Sequence, residues 1–303
     1  MAGTLRAGSS VAFVGLGRMG LPMARNLAAA GYAVRGYDVS TRARDELAAL
    51  AGAQAADSAQ AAAAGADAAV LMLPSSAVVG AVLLEDGLLE ALAAGVALID
   101  MSSSEPLATR ALAARAAERG IEFVDAPVSG GVRGAVEGSL TIMAGGSEEA
   151  VERCRPMLEA LGRTVRHVGP VGAGHALKAL NNLLSAVHLL ASCEALAIGR
   201  GFGLDPHVLV ETINTSTGRS ASTERKLPEF ILTESYDAGF AISLMVKDVG
   251  IAVSLGEQLG IERALATRAL ELWREAEGML GADADHTEIA RWVDARRAAG
   301  AAG

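Results

Sequence analysis

The chain has 303 residues, 51% of them hydrophobic and 20% charged, a formal net charge of −9 and a pI near 5.1. That length predicts two domains with sizeable cores, and the acidic balance offers no basic stripe for nucleic acid. The two cysteines, Cys154 and Cys193, fit neither a disulfide framework nor a metal site, and the five histidines have no ligand spacing, so no metal is expected. The polar start MAGTLRAGSS lacks a signal-peptide core, and no uninterrupted apolar run approaches the length of a membrane span. The expectation is a cytoplasmic protein with no membrane partner.

Residues 11–14 form a short apolar run, followed at once by GLGRMG at 15–20 and then the amphipathic stretch LPMARNLAAAGY. Strand, glycine turn and helix in this order are what a dinucleotide-binding unit requires. Gly15 permits the tight turn, Gly17 lets the backbone approach a pyrophosphate, and Gly20 allows the helix to pack closely on the strand. With Leu16, Arg18 and Met19 they form the candidate phosphate-binding turn at a helix N-terminus. A second strand at 33–37 ends in Asp38, 23 residues after Gly15. A carboxylate there can accept hydrogen bonds from both ribose hydroxyls of NAD and would repel the 2′-phosphate of NADP. NAD is the expected cofactor, and Arg42 and Arg44 lie close enough in sequence to leave NADP open.

The alternation continues with strands at 69–73 and 96–100, each ending in small polar residues. Ligands of an open parallel sheet sit outside such carboxyl ends, so Leu73, Pro74 and Ser103 are candidate cofactor-wall residues; as ordinary turn residues they would look the same. A strand at 122–125 runs into Ala126-Pro127-Val128-Ser129-Gly130-Gly131. Two glycines after a serine let the backbone come close to an anion, so Ser129, Gly130 and Gly131 read as a carboxylate cradle. Arg133 stands either at its rim or on a solvated surface. Strands at 140–144 and 164–168, with a helix at 148–161 between them, complete the sheet, and the alanine-rich tracts at 55–69 and 108–117 are helix-prone. The α/β domain is expected to cover 1–168 and an all-α domain 169–303.

The second half opens on the stretch that organises the chain, a long apolar helix at 172–200 carrying Lys178, Asn181 and Asn182. Residues three and four apart share a helix face, so the three side chains can converge on one small molecule. The chain has 23 arginines but only three lysines, Lys178, Lys226 and Lys247, and only four asparagines, two of them here. A lysine kept in an apolar helix is a candidate for an amine that gains and loses a proton after desolvation, or else it snorkels to water. Asp205 and Pro206 read as the cap and first residue of the next helix. The polar loop at 214–223, with Asn214, Ser216 and Arg219, suits either a ligand wall or a simple connection. Lys247-Asp248 lies inside an apolar helix at 240–259, as a structural ion pair or as a second inward-facing amine. Trp273 and Trp292 read as core anchors.

Four motifs in one order, GLGRMGLPMARNL at 15–27, DAPVSGG at 125–131, GAGHALKALNN at 172–182 and MVKDVGIA at 245–252, make the chain resemble the β-hydroxyacid dehydrogenases, with 3-hydroxyisobutyrate dehydrogenases most similar. The resemblance implies an N-terminal Rossmann-type doubly wound sheet followed by an all-α C-terminal domain, entered through a long interdomain helix, in a homodimer or homotetramer. It implies hydride transfer between a nicotinamide cofactor and a small carboxylate substrate, a 3-hydroxy acid or its semialdehyde. Lys178 is then the catalytic general acid/base, with an amine brought toward neutrality by its apolar helix and a neighbouring cation such as Lys247. Ser129, Gly130, Gly131 and Asn182 would hold the substrate, Lys247 would lie against cofactor and substrate, and Leu73, Pro74, Val78 and Ser103 would contact the cofactor. Val78 departs from the family, which commonly has Asn there. Glyoxylate, tartronate semialdehyde and succinic semialdehyde reductases share the pattern. A 6-phosphogluconate dehydrogenase-like enzyme shares Gly174-His175 but has His then Asn three and four residues after the lysine, where this chain has Asn181 and Asn182. A non-catalytic NAD(H)-binding sensor would need neither Lys178 nor the DAPVSGG turn.

Overall fold

The structure is a computed structural model that describes residues 3–300, with side chains described through residue 296. The first half alternates as expected. Its elements are β1 (Ser10–Val14), α1 (Gly20–Ala29), β2 (Ala33–Tyr37), α2 (Thr41–Ala48), β3 (Ala53–Ala55), α3 (Ala59–Ala63), β4 (Ala68–Leu71), α4 (Ser76–Gly80), α5 (Leu88–Ala91), β5 (Ala97–Asp100), α6 (Pro106–Ala117), β6 (Glu122–Asp125), β7 (Val128–Ser129), α7 (Gly131–Glu137), β8 (Thr141–Gly145), α8 (Glu148–Glu159) and β9 (Thr164–Gly169). A π-helical turn, Ala81–Glu85, continues α4.

The strands form one sheet in the order β3-β2-β1-β4-β5-β6-β8-β7, with β9 on β8. Strands β1 to β6 are parallel; β8 runs antiparallel to β6 and β7 and parallel to β9. Helices cover both faces, and the alternation along β1 shows why Val11 to Val14 are all apolar. Val11 and Phe13 enter one core with Val34, Val70, Ile99 and Val124, while Ala12 and Val14 enter the other with Leu71, Leu98 and Phe123. The order reverses between β1 and β4, so the carboxyl ends of these two strands flank the crevice where such sheets bind ligands.

The second half is helical: α9 (Ala173–Phe202), α10 (Pro206–Asn214), a π-helical segment Ser222–Ile231, α11 (Ile242–Gln258), α12 (Ala264–Leu280), a short 3₁₀ turn His286–Glu288 and α13 (Ile289–Gly300). Its core joins Leu189, Cys193 and Leu196 of α9 to Val249, Trp273 and Trp292. Both tryptophans are buried, and Trp273 Nε1 donates to the Ala186 carbonyl at 3.3 Å. Asp205 caps α10 by accepting from the His207 and Val208 N–H groups, with Pro206 first in the helix.

The chain divides into two compact units between Lys178 and Ala179, ten residues beyond the 168/169 boundary expected from the end of the alternation. The strands do end at Gly169, but the first turns of α9 are fastened to the sheet, as described below. By length and composition α9 could cross a membrane, with 30 residues and a mean hydropathy of 1.4; 44% of its most apolar stretch is buried within the protein. The polar loop before the π-helical segment is bonded within itself and to the segment that follows. Ser220 and Thr223 exchange hydrogen bonds, Asn214 Nδ2 donates to the Thr223 carbonyl, Ser216 Oγ donates to Thr212 and Arg219 faces Glu224 at 3.4 Å.

Candidate active site

The glycine turn leaves β1 at the switch point. Gly15 has φ +97°, and a Cβ on it would stand 2.3 Å from the Met72 carbonyl oxygen; one on Gly20 would stand 1.9 Å from the carbonyl oxygen of Gly15. These two glycines are demanded by the chain's own packing. Gly17 differs, because nothing lies within 4 Å of where its Cβ would be. That open space beside the turn fits the close approach of a pyrophosphate. Ser40, Ser58, Ser75 and Ser147 cap α2, α3, α4 and α8, whereas α1 has no side-chain cap and no acidic residue in its first turn. Its leading N–H groups and positive dipole end suit a phosphate. These residues fit a dinucleotide.

Asp38, at the end of β2, accepts from the Leu16 N–H at 2.7 Å and from the Ser40 N–H at 2.8 Å. Its carboxylate thus braces the glycine turn. Neither nearby arginine bonds that carboxylate: Arg44 donates to the Asp38 carbonyl and stacks over Tyr37, and Arg42 pairs with Glu46 at the surface. After β4, the Leu73 N–H donates to Ser102 Oγ at 2.9 Å, so the candidate wall residues Leu73 and Pro74 on one strand end and Ser103 on the next belong to one connected edge. Val78 lies in α4 and is 37% exposed.

The cradle turn begins at β7. Ser129 is half-buried, and Gly130 and Gly131 adopt φ +132° and +63°, conformations that side chains other than glycine rarely take. Instead of a plain loop, α7 starts at Gly131. Arg133 is exposed and pairs with Glu137 one turn on at 2.8 Å, the arrangement of a solvated surface arginine.

Asp125, at the end of β6, receives the start of α9. Its two oxygens accept from the Gly172 N–H at 2.7 Å and the His175 N–H at 2.8 Å. The helix can come this close because Gly174 has no side chain: a Cβ there would stand 2.3 Å from the Met143 carbonyl oxygen and 2.7 Å from that of Asp125. Burial holds the Asp125 carboxyl above its ordinary range, and His175 and the backbone N–H donors offset this only in part. The His175 ring is fully buried. Its Nε2 lies 3.0 Å from the Ser102 carbonyl and its Nδ1 2.8 Å from Thr109 Oγ1. Lys178 follows one turn later with 9% exposure. Asp125, His175 and Ser102 are residues that sequence reasoning did not single out; the visible signal was Gly-x-Gly-His ahead of the lysine.

In the helical unit Asn182 is buried and donates from Nδ2 to Asp248 Oδ2, while Asn181 Nδ2 donates to Asn182 Oδ1 at 3.1 Å. Asp248 is buried too, and Lys247 Nζ lies 3.5 Å from its other oxygen, so the Lys247-Asp248 dipeptide is an ion pair whose carboxylate also orients Asn182. Lys226, the remaining lysine, donates to Ser185 Oγ at 2.9 Å, and burial lowers its amine to about 8. Among the described residues no three His, Cys, Asp or Glu side chains are grouped to hold a metal.

A glycine turn at the switch point of a doubly wound sheet, an acid at the end of the second strand and a following helical unit define a nicotinamide-dinucleotide-binding oxidoreductase fold. Two family descriptions cover the chain in succession: the NAD binding domain of 6-phosphogluconate dehydrogenase over residues 10–169, and the NAD-binding domain of NADP-dependent 3-hydroxyisobutyrate dehydrogenase over residues 172–293. The chain is 42% identical over 271 residues to the NAD-dependent L-serine dehydrogenase of Pseudomonas aeruginosa, spanning 87% of this chain and 91% of that one. It is 39% identical over 270 residues to the 2-(hydroxymethyl)glutarate dehydrogenase of Eubacterium barkeri, spanning 89% of each. Among solved structures it is similar to the 3-hydroxyisobutyrate dehydrogenase of Mycobacterium tuberculosis with L-serine, at a TM-score of 0.89 and 32% identity, over 94% of this chain and 99% of that one. The chain belongs to the β-hydroxyacid dehydrogenase family and is an NAD(P)-dependent dehydrogenase.

Proposed function

We propose that the chain interconverts a small acid of the form HOCH₂–CHX–COO⁻ and its semialdehyde, with NAD as the preferred cofactor. Three relatives carry the names of acids of this form: 3-hydroxyisobutyrate, L-serine and 2-(hydroxymethyl)glutarate. They differ in X and share a primary alcohol on the carbon next to the one bearing the carboxylate. The observation that carries the reading is Lys178, an amine on a side chain only 9% exposed, in a chain that otherwise uses arginine for nearly all its cations.

In this proposal the neutral Lys178 amine takes the hydroxyl proton as the alcohol is oxidised, and its ammonium returns a proton to the alkoxide in the reverse direction. The bound nicotinamide supplies the hydride acceptor or donor. Gly15 to Gly20 hold the pyrophosphate, Asp38 the ribose hydroxyls, and Leu73, Pro74, Val78 and Ser103 form the cofactor wall. Ser129, Gly130 and Gly131 cradle the carboxylate, and Asn182 and Lys247 carry further substrate-binding roles. The preference for NAD is supported by the Asp38 carboxylate, to which neither Arg42 nor Arg44 is bonded. The reading includes a cytoplasmic homodimer or homotetramer, supported by the exposed apolar row Leu180, Leu184, Ile198 and Phe202 on α9, and treats α9 as a core helix rather than a membrane span.

The test is absorbance at 340 nm with NAD or NADP against 3-hydroxyisobutyrate, L-serine, 2-(hydroxymethyl)glutarate, 3-hydroxypropionate, glycerate, 4-hydroxybutyrate and 6-phosphogluconate. Saturable reduction of NAD by one or more of the first five, with little from the last two, is the expected result. Turnover confined to 6-phosphogluconate or 4-hydroxybutyrate contradicts the proposed substrate class, and NADH binding with no turnover on any acid contradicts the enzymatic reading.

A further inference from the structure

We propose that His175 is a positioning residue, a buried clamp that fixes Lys178 against the strand ends; the proposal rests on the function proposed above. The imidazole has no access to solvent, and its polar contacts reach the end of β5 and the segment after it, the helix α6 and the end of β6. Its Nε2 lies 3.0 Å from the Ser102 carbonyl, which can only accept, so Nε2 carries a hydrogen and donates. Ser102 in turn holds the Leu73 N–H through Oγ at 2.9 Å and donates its own N–H to Asp100 Oδ1 at 3.0 Å. The opposite nitrogen, Nδ1, meets Thr109 Oγ1 of α6 at 2.8 Å. Carboxylates stand on both sides, Asp100 Oδ2 at 3.8 Å from Nε2 and Asp125 Oδ2 at 3.8 Å from Nδ1. Through its backbone N–H, His175 also binds Asp125, four residues before Ser129.

The ring therefore ties the helix bearing Lys178 to α6 and to the Ser102 segment, which holds the strand end bearing Leu73 and precedes Ser103, while the backbone N–H of His175 ties it to the strand feeding the carboxylate turn. Lys178 stands three residues on, on the same face of α9. A helix residue one turn away from a fixed point cannot swing without breaking that point, so the ring, together with the Asp125 bonds to the Gly172 and His175 N–H groups, sets the place of the Lys178 backbone relative to the cofactor wall and the cradle. A hydrophobic residue of similar size would fill the space but would leave the buried Ser102 carbonyl without its N–H donor and Thr109 Oγ1 without its ring partner, while the backbone bond to Asp125 would remain.

Three substitutions separate this role from simple packing. His175→Gln presents an amide N–H near the position of Nε2 and can keep the Ser102 bond, His175→Asn reaches only the position of Nδ1, and His175→Ala keeps neither. With Ala, kcat should fall about 100-fold, the scale of a misplacement of about 1 Å at a catalytic group, while KM for the acid and the Kd for NADH stay within about threefold. Gln should recover kcat to within about fivefold of wild type and Asn should recover much less. Equal kcat in all four proteins, a parallel loss of NADH affinity, or a Gln variant no better than Ala would overturn the proposal. Hydrogen–deuterium exchange over residues 172–178 gives a readout that needs no turnover. Exchange there should rise at least tenfold in the Ala variant and return in Gln, with α1 unchanged; unaltered exchange overturns the clamp. A wild type that turns over no acid in the panel would instead refute the proposed function while exchange still decides the clamp. Should the Ala variant fail to fold, the Gln and Asn pair carries the same comparison.

Discussion

Asp38 shows how one side chain can serve a turn and a ligand together. Two backbone N–H groups, from Leu16 and Ser40, fix its carboxylate, and the charge that braces the glycine turn is also the charge that a 2′-phosphate would meet. Replacing Asp38 by Asn removes the repulsion and keeps only one of the two backbone bonds, since the amide nitrogen cannot accept, so NAD turnover should weaken and the ratio of kcat/KM with NAD to that with NADP should fall by roughly tenfold, equivalent to about 1.4 kcal/mol; an unchanged ratio would mean that selectivity is set elsewhere. Lys178 stood out in the sequence as a candidate because the chain is so poor in lysine, and Cys154 and Cys193 were legible as packing: both are buried, and burial pushes each thiol up to about 12. Asp125 and His175 were not. A histidine in an apolar helix and an acid at a strand end have no sequence spacing that relates them, since their contact crosses 50 residues and exists only once the sheet is formed.

The helices and strands illustrate the same division. Apolar runs marked β1, β4, β5 and β8 to within a few residues, because central strands buried on both faces are apolar along most of their length, while β2, β6 and β9, which carry polar residues, were placed by the alternation of strands and helices. The three residues of β3 and two of β7 carry too little pattern to read, and the π-helical segment Ser222–Ile231 is masked by Pro228, which reads as a break. At the other end of the helical unit Asp285 joins two elements that the sequence does not connect. Its carboxylate accepts from the N–H groups of Gly239 and Phe240 ahead of α11, and from the Thr287 N–H and hydroxyl at the turn into α13. Burial alone would raise its pKa, but bonds from His286 and Thr287 outweigh that and hold it well below the usual carboxylate range. A carboxyl with a lowered folded pKa contributes stability that is present above its unfolded value, about 3.9, and is lost as pH falls through the folded value. Asp285→Ala should therefore cost about 2 kcal/mol at pH 7, and the difference from wild type should shrink below about pH 4. Urea unfolding followed by tryptophan fluorescence checks this directly, since both tryptophans lie in the helical unit. A pH-independent difference would assign the loss to packing instead.

At the scale of the whole chain, two compact units share one long helix, and the divide falls immediately after Lys178. The sequence marked where strands stop, whereas the position of the divide follows from Asp125 and Gly174, which seat the first turns of α9 on the sheet. The proposed reaction thus depends on a lysine held by the dinucleotide-binding unit. Its most direct test is Lys178→Ala assayed with the best substrate of the panel, alongside NADH affinity by fluorescence. The account predicts that kcat falls by at least 100-fold, in keeping with the loss of a general acid/base, while the Kd for NADH stays within about threefold of wild type. A variant that turns over within a few-fold of wild type would contradict it.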